Sequence, residues 1–106
     1  SNAQVDSILS YINQHIEEPL SLEQLSAHFF ISSSYLCRLF KSATGTTINK
    51  YITAKRLSHA KELLAEGYTV TEASAKCGFN DYSNFFKAFT RATSVSPKKY
   101  AQFLTQ

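Results

Sequence analysis

The chain has 106 residues, 43% hydrophobic and 18% charged, with eight Phe and six Tyr, the size of one ordinary globular domain. No apolar run approaches the roughly 20 residues of a membrane span, no signal-peptide pattern is read at the start, and the hydrophobic content is too high for disorder. Two cysteines, Cys37 and Cys77, make neither a disulfide framework nor a four-ligand zinc site, so a reducing cytoplasm is expected.

The formal charge is +3, but it is unevenly placed. Residues 1–30 carry Asp6, Glu17, Glu18 and Glu23 and no Lys or Arg. Residues 31–106 carry all eleven basic residues against Glu62, Glu66, Glu72 and Asp81. Such asymmetry points the later segment towards a polyanion. Ser1-Asn2-Ala3 reads as the remnant of an expression tag, and the chain has no Met. A piece of a longer protein is therefore expected, preceded by a sensing or dimerisation domain.

Helical periodicity runs through the sequence. From about Val5, Ile8, Leu9, Ile12 and Ile16 recur at helical spacing until Pro19. Ser21-Leu22-Glu23-Gln24 is a capping-box pattern that predicts a short helix through about His28, burying Leu22 and Leu25. Ser32 caps the next helix, with Leu36, Leu39, Phe40 and Ala43 inward and Gly45 as its end. Thr46 or Thr47 opens the longest element, whose apolar seam is Ile48, Tyr51, Ile52, Leu57, Ala60, Leu63 and Leu64 before Gly67. A short helix follows from Thr69 or Val70 to about Lys76. Asn80 or Asp81 then caps a helix burying Phe85, Ala88, Phe89 and Ala92. Ser96 and Pro97 start a last helix through Leu104. No segment alternates like a strand.

An internal repeat organises these elements. Leu22, Leu25, Ser26 and Ala27 match Val70, Ala73, Ser74 and Ala75 at an offset of 48. After one extra residue, Leu36, Phe40, Thr44, Thr47 and Tyr51 match Phe85, Phe89, Thr93, Ser96 and Tyr100 at 49. Each copy reads as a short helix, a tight turn and a longer helix with a buried Phe, a helix-turn-helix signature. The expected fold is all-α, about seven helices in two helix-turn-helix subdomains, residues 4–45 and 68–106, joined by a linker helix over 46–67.

The free faces of the two longer helices carry the candidate chemistry. The first offers Ser33, Ser34, Cys37, Arg38 and Lys41; the second offers Tyr82, Ser83, Asn84, Phe86, Lys87 and Thr90. Arg38 and Lys87 fall at matched positions. Short polar side chains beside one long cation suit a helix in the major groove, where the cation meets a guanine edge or a phosphate. The helix starts around Thr47 and Lys50, and around Lys98 and Lys99, can clamp phosphates with backbone amides and lysines. A linker helix of roughly 30 Å is close to the roughly 34 Å between successive major grooves on one face of a duplex.

These residues carry a family resemblance. Tyr51-Ile52, Lys55-Arg56-Leu57, Ala60, Leu63-Leu64, Cys77-Gly78-Phe79-Asn80-Asp81, Ser83, Phe85, Phe89 and Pro97-Lys98-Lys99-Tyr100 resemble the DNA-binding domain of AraC/XylS-type transcription regulators over about residues 5–104. The resemblance implies recognition helices at about 33–44 and 82–92. The chain departs from the usual pattern at Ser94, where Gly is common, at Thr90 and Ala101, where Lys and Arg are common, and at Phe86, where a small or polar residue is common.

The expected function is therefore sequence-specific binding of a double-stranded DNA operator as part of a bacterial transcription regulator. RNA polymerase is a further expected partner. The rival reading is a helical protein–protein interaction module using the acidic first helix and the aromatics, with Phe86 as its pointer. RNA binding lacks a single-strand platform. No phosphate loop, paired carboxylates or nucleophile elbow is present, so no enzyme, cofactor or metal is expected. His15, His28 and His59 have no ligand spacing. Arg56 fits either a phosphate or an intramolecular partner. Cys37 fits either a small residue or a redox switch without a resolving cysteine nearby.

Overall fold

The computed structural model describes residues 2–105, with Asn2 as backbone alone. Of the expected tag remnant, Ser1 lies outside the described residues. Among those described, seven α-helices and no strand are found: α1 Asn2–Gln14, α2 Leu22–Phe29, α3 Ser33–Thr44, α4 Ile48–Ala65, α5 Val70–Lys76, α6 Tyr82–Thr93 and α7 Pro97–Leu104. None of them is long and apolar enough to cross a membrane. The chain forms two compact units, Ser1–Ile52 and Thr53–Gln106. In the first, α1 and α2 pack on α3; in the second, α5, α6 and α7 pack on one another.

Each unit has its own core. Ile8, Ile12, Leu25, Leu36, Phe40, Ile48 and Ile52 close the first. Leu57, Ala60, Leu63, Leu64, Ala73, Cys77, Phe85 and Phe89 close the second. The sequence repeat persists in the packing. Phe40 meets Tyr51 edge-on at 5.5 Å between ring centroids, and Phe89 meets Tyr100 edge-on at 5.3 Å. Such T-shaped contacts set ring edge against ring face, as the aromatic quadrupole favours. Volume is redistributed between the copies. Leu25 and Leu36 of one unit correspond to the smaller Ala73 and the larger Phe85 of the other, so the short helix yields the space that the longer one fills.

The capping bonds at the helix starts repeat from one unit to the other. Ser21 Oγ accepts from Gln24 N while Gln24 Oε1 accepts from Ser21 N, both at 3.0 Å. In the second copy, Thr69 Oγ1 accepts from Glu72 N at 3.1 Å and Glu72 Oε1 accepts from Thr69 N at 2.8 Å. The side chains of Ser32 and Asp81 cap α3 and α6, and those of Thr47 and Ser96 cap α4 and α7. Past the longer helices a threonine clamps the exit. Thr44 Oγ1 donates towards Phe40 O (2.8 Å) and Thr46 O (3.1 Å) and accepts from Thr46 N. Thr93 does the same with Phe89 O (2.8 Å), Val95 O (2.9 Å) and Val95 N.

Three packing expectations are corrected. Ala43 and Ala92 are exposed, not inward; each lies in the last turn of its helix, where the chain is already leaving the core. The seven apolar residues of α4 do not form one seam. Ile48 and Ile52 enter the first core, whereas Leu57, Ala60, Leu63 and Leu64 enter the second. Third, α1 begins at Asn2, ahead of Val5.

Among the described residues, two that are not glycine hold left-handed backbone. Phe30 (φ 57) ends α2 and Ser94 (φ 65) ends α6, while the equivalent of Ser94 in the first unit is Gly45 at φ 80. A Cβ in this conformation costs about 1–2 kcal/mol. Ser94→Gly is thus expected to stabilise the fold by about 1 kcal/mol, seen as a rise in Tm by circular dichroism. Gly45→Ala should lower Tm, and by backbone strain alone, because an added Cβ meets nothing within 4 Å.

The two capping boxes also differ in charge. The bonds from Thr69 hold the Glu72 carboxyl below its usual pKa, so its capping contribution is present at neutral pH and lost as pH falls through that lowered value. Gln24 has no such titration. Amide NMR should show the Thr69 N–H shifting with a midpoint below the ordinary Glu range, with Ser21 unmoved by its own box. In Glu72→Gln the Thr69 titration should vanish.

Candidate nucleic-acid interface

Within each unit the longer helix is anchored by its inner face and free on its outer one. In α3, Leu36 and Phe40 are fully buried, while Ser34, Cys37, Arg38 and Lys41 are exposed. In α6, Phe85 and Phe89 are fully buried, and Ser83, Asn84 and Lys87 are exposed alongside Tyr82 and Phe86. The structure therefore brings most of the candidate residues to the outer face of their helix, with Arg38 and Lys87 one repeat apart. Arg91, also exposed on α6, adds a cation that sequence reasoning left out; its fit to the outer face was legible from helical spacing.

Two candidates point elsewhere. Ser33 is half-buried, and its hydroxyl donates to Ser26 Oγ of α2 at 3.3 Å, tying the two helices together. Thr90 is half-buried as well, and its Oγ1 is enclosed without a hydrogen-bond partner among the described residues. The backbone face of Asn84 is committed too: its N–H donates to Asp81 Oδ1 at 2.8 Å and its side-chain amide to Asp81 Oδ2 at 3.3 Å.

The phosphate candidates cluster at helix starts. Thr47 caps α4 by accepting from Lys50 N at 3.2 Å, leaving the Lys50 side chain exposed. Ser96 caps α7 by accepting from Lys99 N at 3.1 Å, with Pro97 at the first helical position and Lys98 and Lys99 exposed. Unpaired amides at a helix start favour an anion, and the lysines add charge beside them. Arg56 is different. It is half-buried and engaged within the chain, and burial pushes its guanidinium pKa down while Cys77 opposes that shift. Cys37 is exposed and Cys77 is buried. Among the described residues no group of three His, Cys, Asp or Glu could hold a metal ion.

The profile of a helix-turn-helix domain family matches residues 25–102. The probable transcriptional regulator LumQ of Photobacterium leiognathi is 38% identical over 96 residues, 90% of this chain and 39% of that protein. The chain thus spans less than two-fifths of the length of the curated relatives it matches. The C-terminal domain of AraT, a response regulator from Geobacillus stearothermophilus, superposes with a TM-score of 0.89 at 28% identity, covering 94% of this chain and 84% of that one. The DNA-binding domain of the global transcriptional factor AdpA, solved in complex with a target DNA, gives 0.87 at 26% identity, covering 92% of this chain and 89% of that one.

The enclosed Thr90 hydroxyl yields a direct test. Removing an unpaired buried hydroxyl while keeping the side-chain shape is neutral to stabilising. Thr90→Val should therefore hold or raise Tm, by up to about 1 kcal/mol in stability, and leave duplex affinity unchanged in an anisotropy titration.

Proposed function

The chain belongs to the AraC-type helix-turn-helix family, and we propose that it binds double-stranded DNA sequence-specifically, as the DNA-binding part of a transcription regulator, through α3 and α6 in successive major grooves. The observation that carries this reading is the duplicated outer face: one cation and one exposed serine at matched positions of each helix, over Phe40 in one and Phe89 in the other. Ser34, Cys37, Arg38 and Lys41 of α3, and Tyr82, Ser83, Asn84, Phe86 and Lys87 of α6, are the residues assigned to the grooves. Thr47, Lys50, Lys98 and Lys99 are assigned to phosphates. Ser33 and Thr90 serve instead to seat their helices.

The functional subdomains are residues 4–45 and 68–106, with 46–67 as linker. The reading is of a binding domain and not an enzyme, acting in the cytoplasm. An upstream sensing or dimerisation domain and RNA polymerase complete the proposed assembly. The likeness to a DNA-bound neighbour supports this function over a protein-interaction module.

Anisotropy titration of the chain against duplexes selected from a random pool tests the proposal. With about six phosphates neutralised, log K should fall against log salt with a slope near −5. A salt-independent signal with no preference among duplexes would leave the protein-interaction module as the better reading. Arg38→Ala and Lys87→Ala should each cost about 1–3 kcal/mol on a selected duplex and markedly less on random DNA. Equal losses on both would reassign these cations to the backbone.

A further inference from the structure

The two outer faces agree at some matched positions and differ sharply at others. Ser34 and Ser83 correspond, as do Arg38 and Lys87, so the close-approach residue and the cation are common to both helices. At the position just before each of these, α3 has Ser33 and Cys37 where α6 has Tyr82 and Phe86. Tyr82 is 48% exposed and Phe86 39% exposed. Their rings lie 6.1 Å apart, and Tyr82 also rests 6.0 Å from the buried Phe85 ring. The pair is therefore a ledge, backed by the core through Phe85, with little rotamer freedom left to lose on binding.

What surrounds the ledge identifies its occupant. From Tyr82 to Thr93, α6 has two exposed cations, Lys87 and Arg91, and no acid. The nearest carboxylate, Asp81, is occupied by the N–H and side-chain amide of Asn84. A purely apolar partner surface would gain nothing from this charge, whereas a duplex presents phosphates to the cations and, inside the major groove, one apolar group: the C5 methyl of thymine. Resting on the DNA-binding reading, we infer that α6 reads thymine by van der Waals contact of Phe86, supported by Tyr82, with the 5-methyl group. The helix α3, with Arg38 and Lys41 and with Cys37 at the position of Phe86, does not share this preference. Phe86 is thus a specificity-determining residue, and the two halves of the binding site follow different chemical rules.

The test compares paired duplexes from the same selection, identical except that single thymines are replaced by deoxyuridine, which keeps every hydrogen-bonding group and removes only the methyl. At the position read by α6, the replacement should weaken binding about fourfold, the worth of one buried CH2-sized group. In Phe86→Ala the same replacement should change affinity less than twofold. In Phe86→Leu, an apolar side chain that guards against a folding artefact, much of the discrimination should return. Lys87→Ala should lower affinity for both duplexes while keeping their ratio. Discrimination that survives intact in Phe86→Ala, or thymine positions that are all indifferent to the methyl, would overturn the assignment while leaving DNA binding in place. A pool from which no duplex is enriched would overturn the DNA-binding reading itself and this inference with it.

Discussion

A helix that offers one face to a partner can be held only by its other face, and here that hold rests on a buried phenylalanine against a tyrosine. Phe40 and Phe89 sit at the inner midpoint of α3 and α6, and Tyr51 and Tyr100 come from the following helix to meet them edge-on. The threonine one turn later, Thr44 or Thr93, bonds the carbonyl of that same Phe and the backbone beyond the turn. The aromatic contact and the clamp therefore tie each exposed helix to its successor at both ring and backbone. Nothing on the outer face contributes to this hold, which leaves Ser34, Arg38, Ser83 and Lys87 free to be chosen for what they touch outside the protein.

That separation explains why so much was legible in the sequence. Cap signals are local: Ser21 with Gln24, Ser32, Thr69, Asp81 and Ser96 each act within a turn of their own helix. The repeat then doubled every local signal, so that an offset of 48 or 49 identified the buried Phe residues and their tyrosines together. The matched cations followed from helical spacing alone.

What the sequence concealed depends on non-local packing or on backbone geometry. The seam of α4 reads as continuous in the sequence although Ile48 and Ile52 join one core and Leu57, Ala60, Leu63 and Leu64 the other, because a wheel holds no record of which core a residue meets. Ala43 and Ala92 lie on the inward side by angle, yet the core ends before their turn. The hold of Ser33 on Ser26 of α2 and the burial of the Thr90 hydroxyl are tertiary properties that helical spacing does not record. The left-handed conformation of Phe30, 94% exposed at the end of α2, had no signature in a side chain that ordinarily avoids it.

The exchange of Leu25 and Leu36 for Ala73 and Phe85 has a bearing on how this molecule can be altered. Although α3 and α6 repeat one design, they have ceased to be spare parts for each other. Transplanting α6 whole onto the first unit would bring Phe85 into a core filled by Leu36, and the reverse graft would put Leu36 into a core filled by Phe85. Re-addressing one half of the molecule to the other's target therefore requires moving outer-face side chains one at a time, or carrying a short helix together with the longer helix that was fitted to it. The two units repeat one design, yet the core of each is filled by its own pairing of a short and a longer helix.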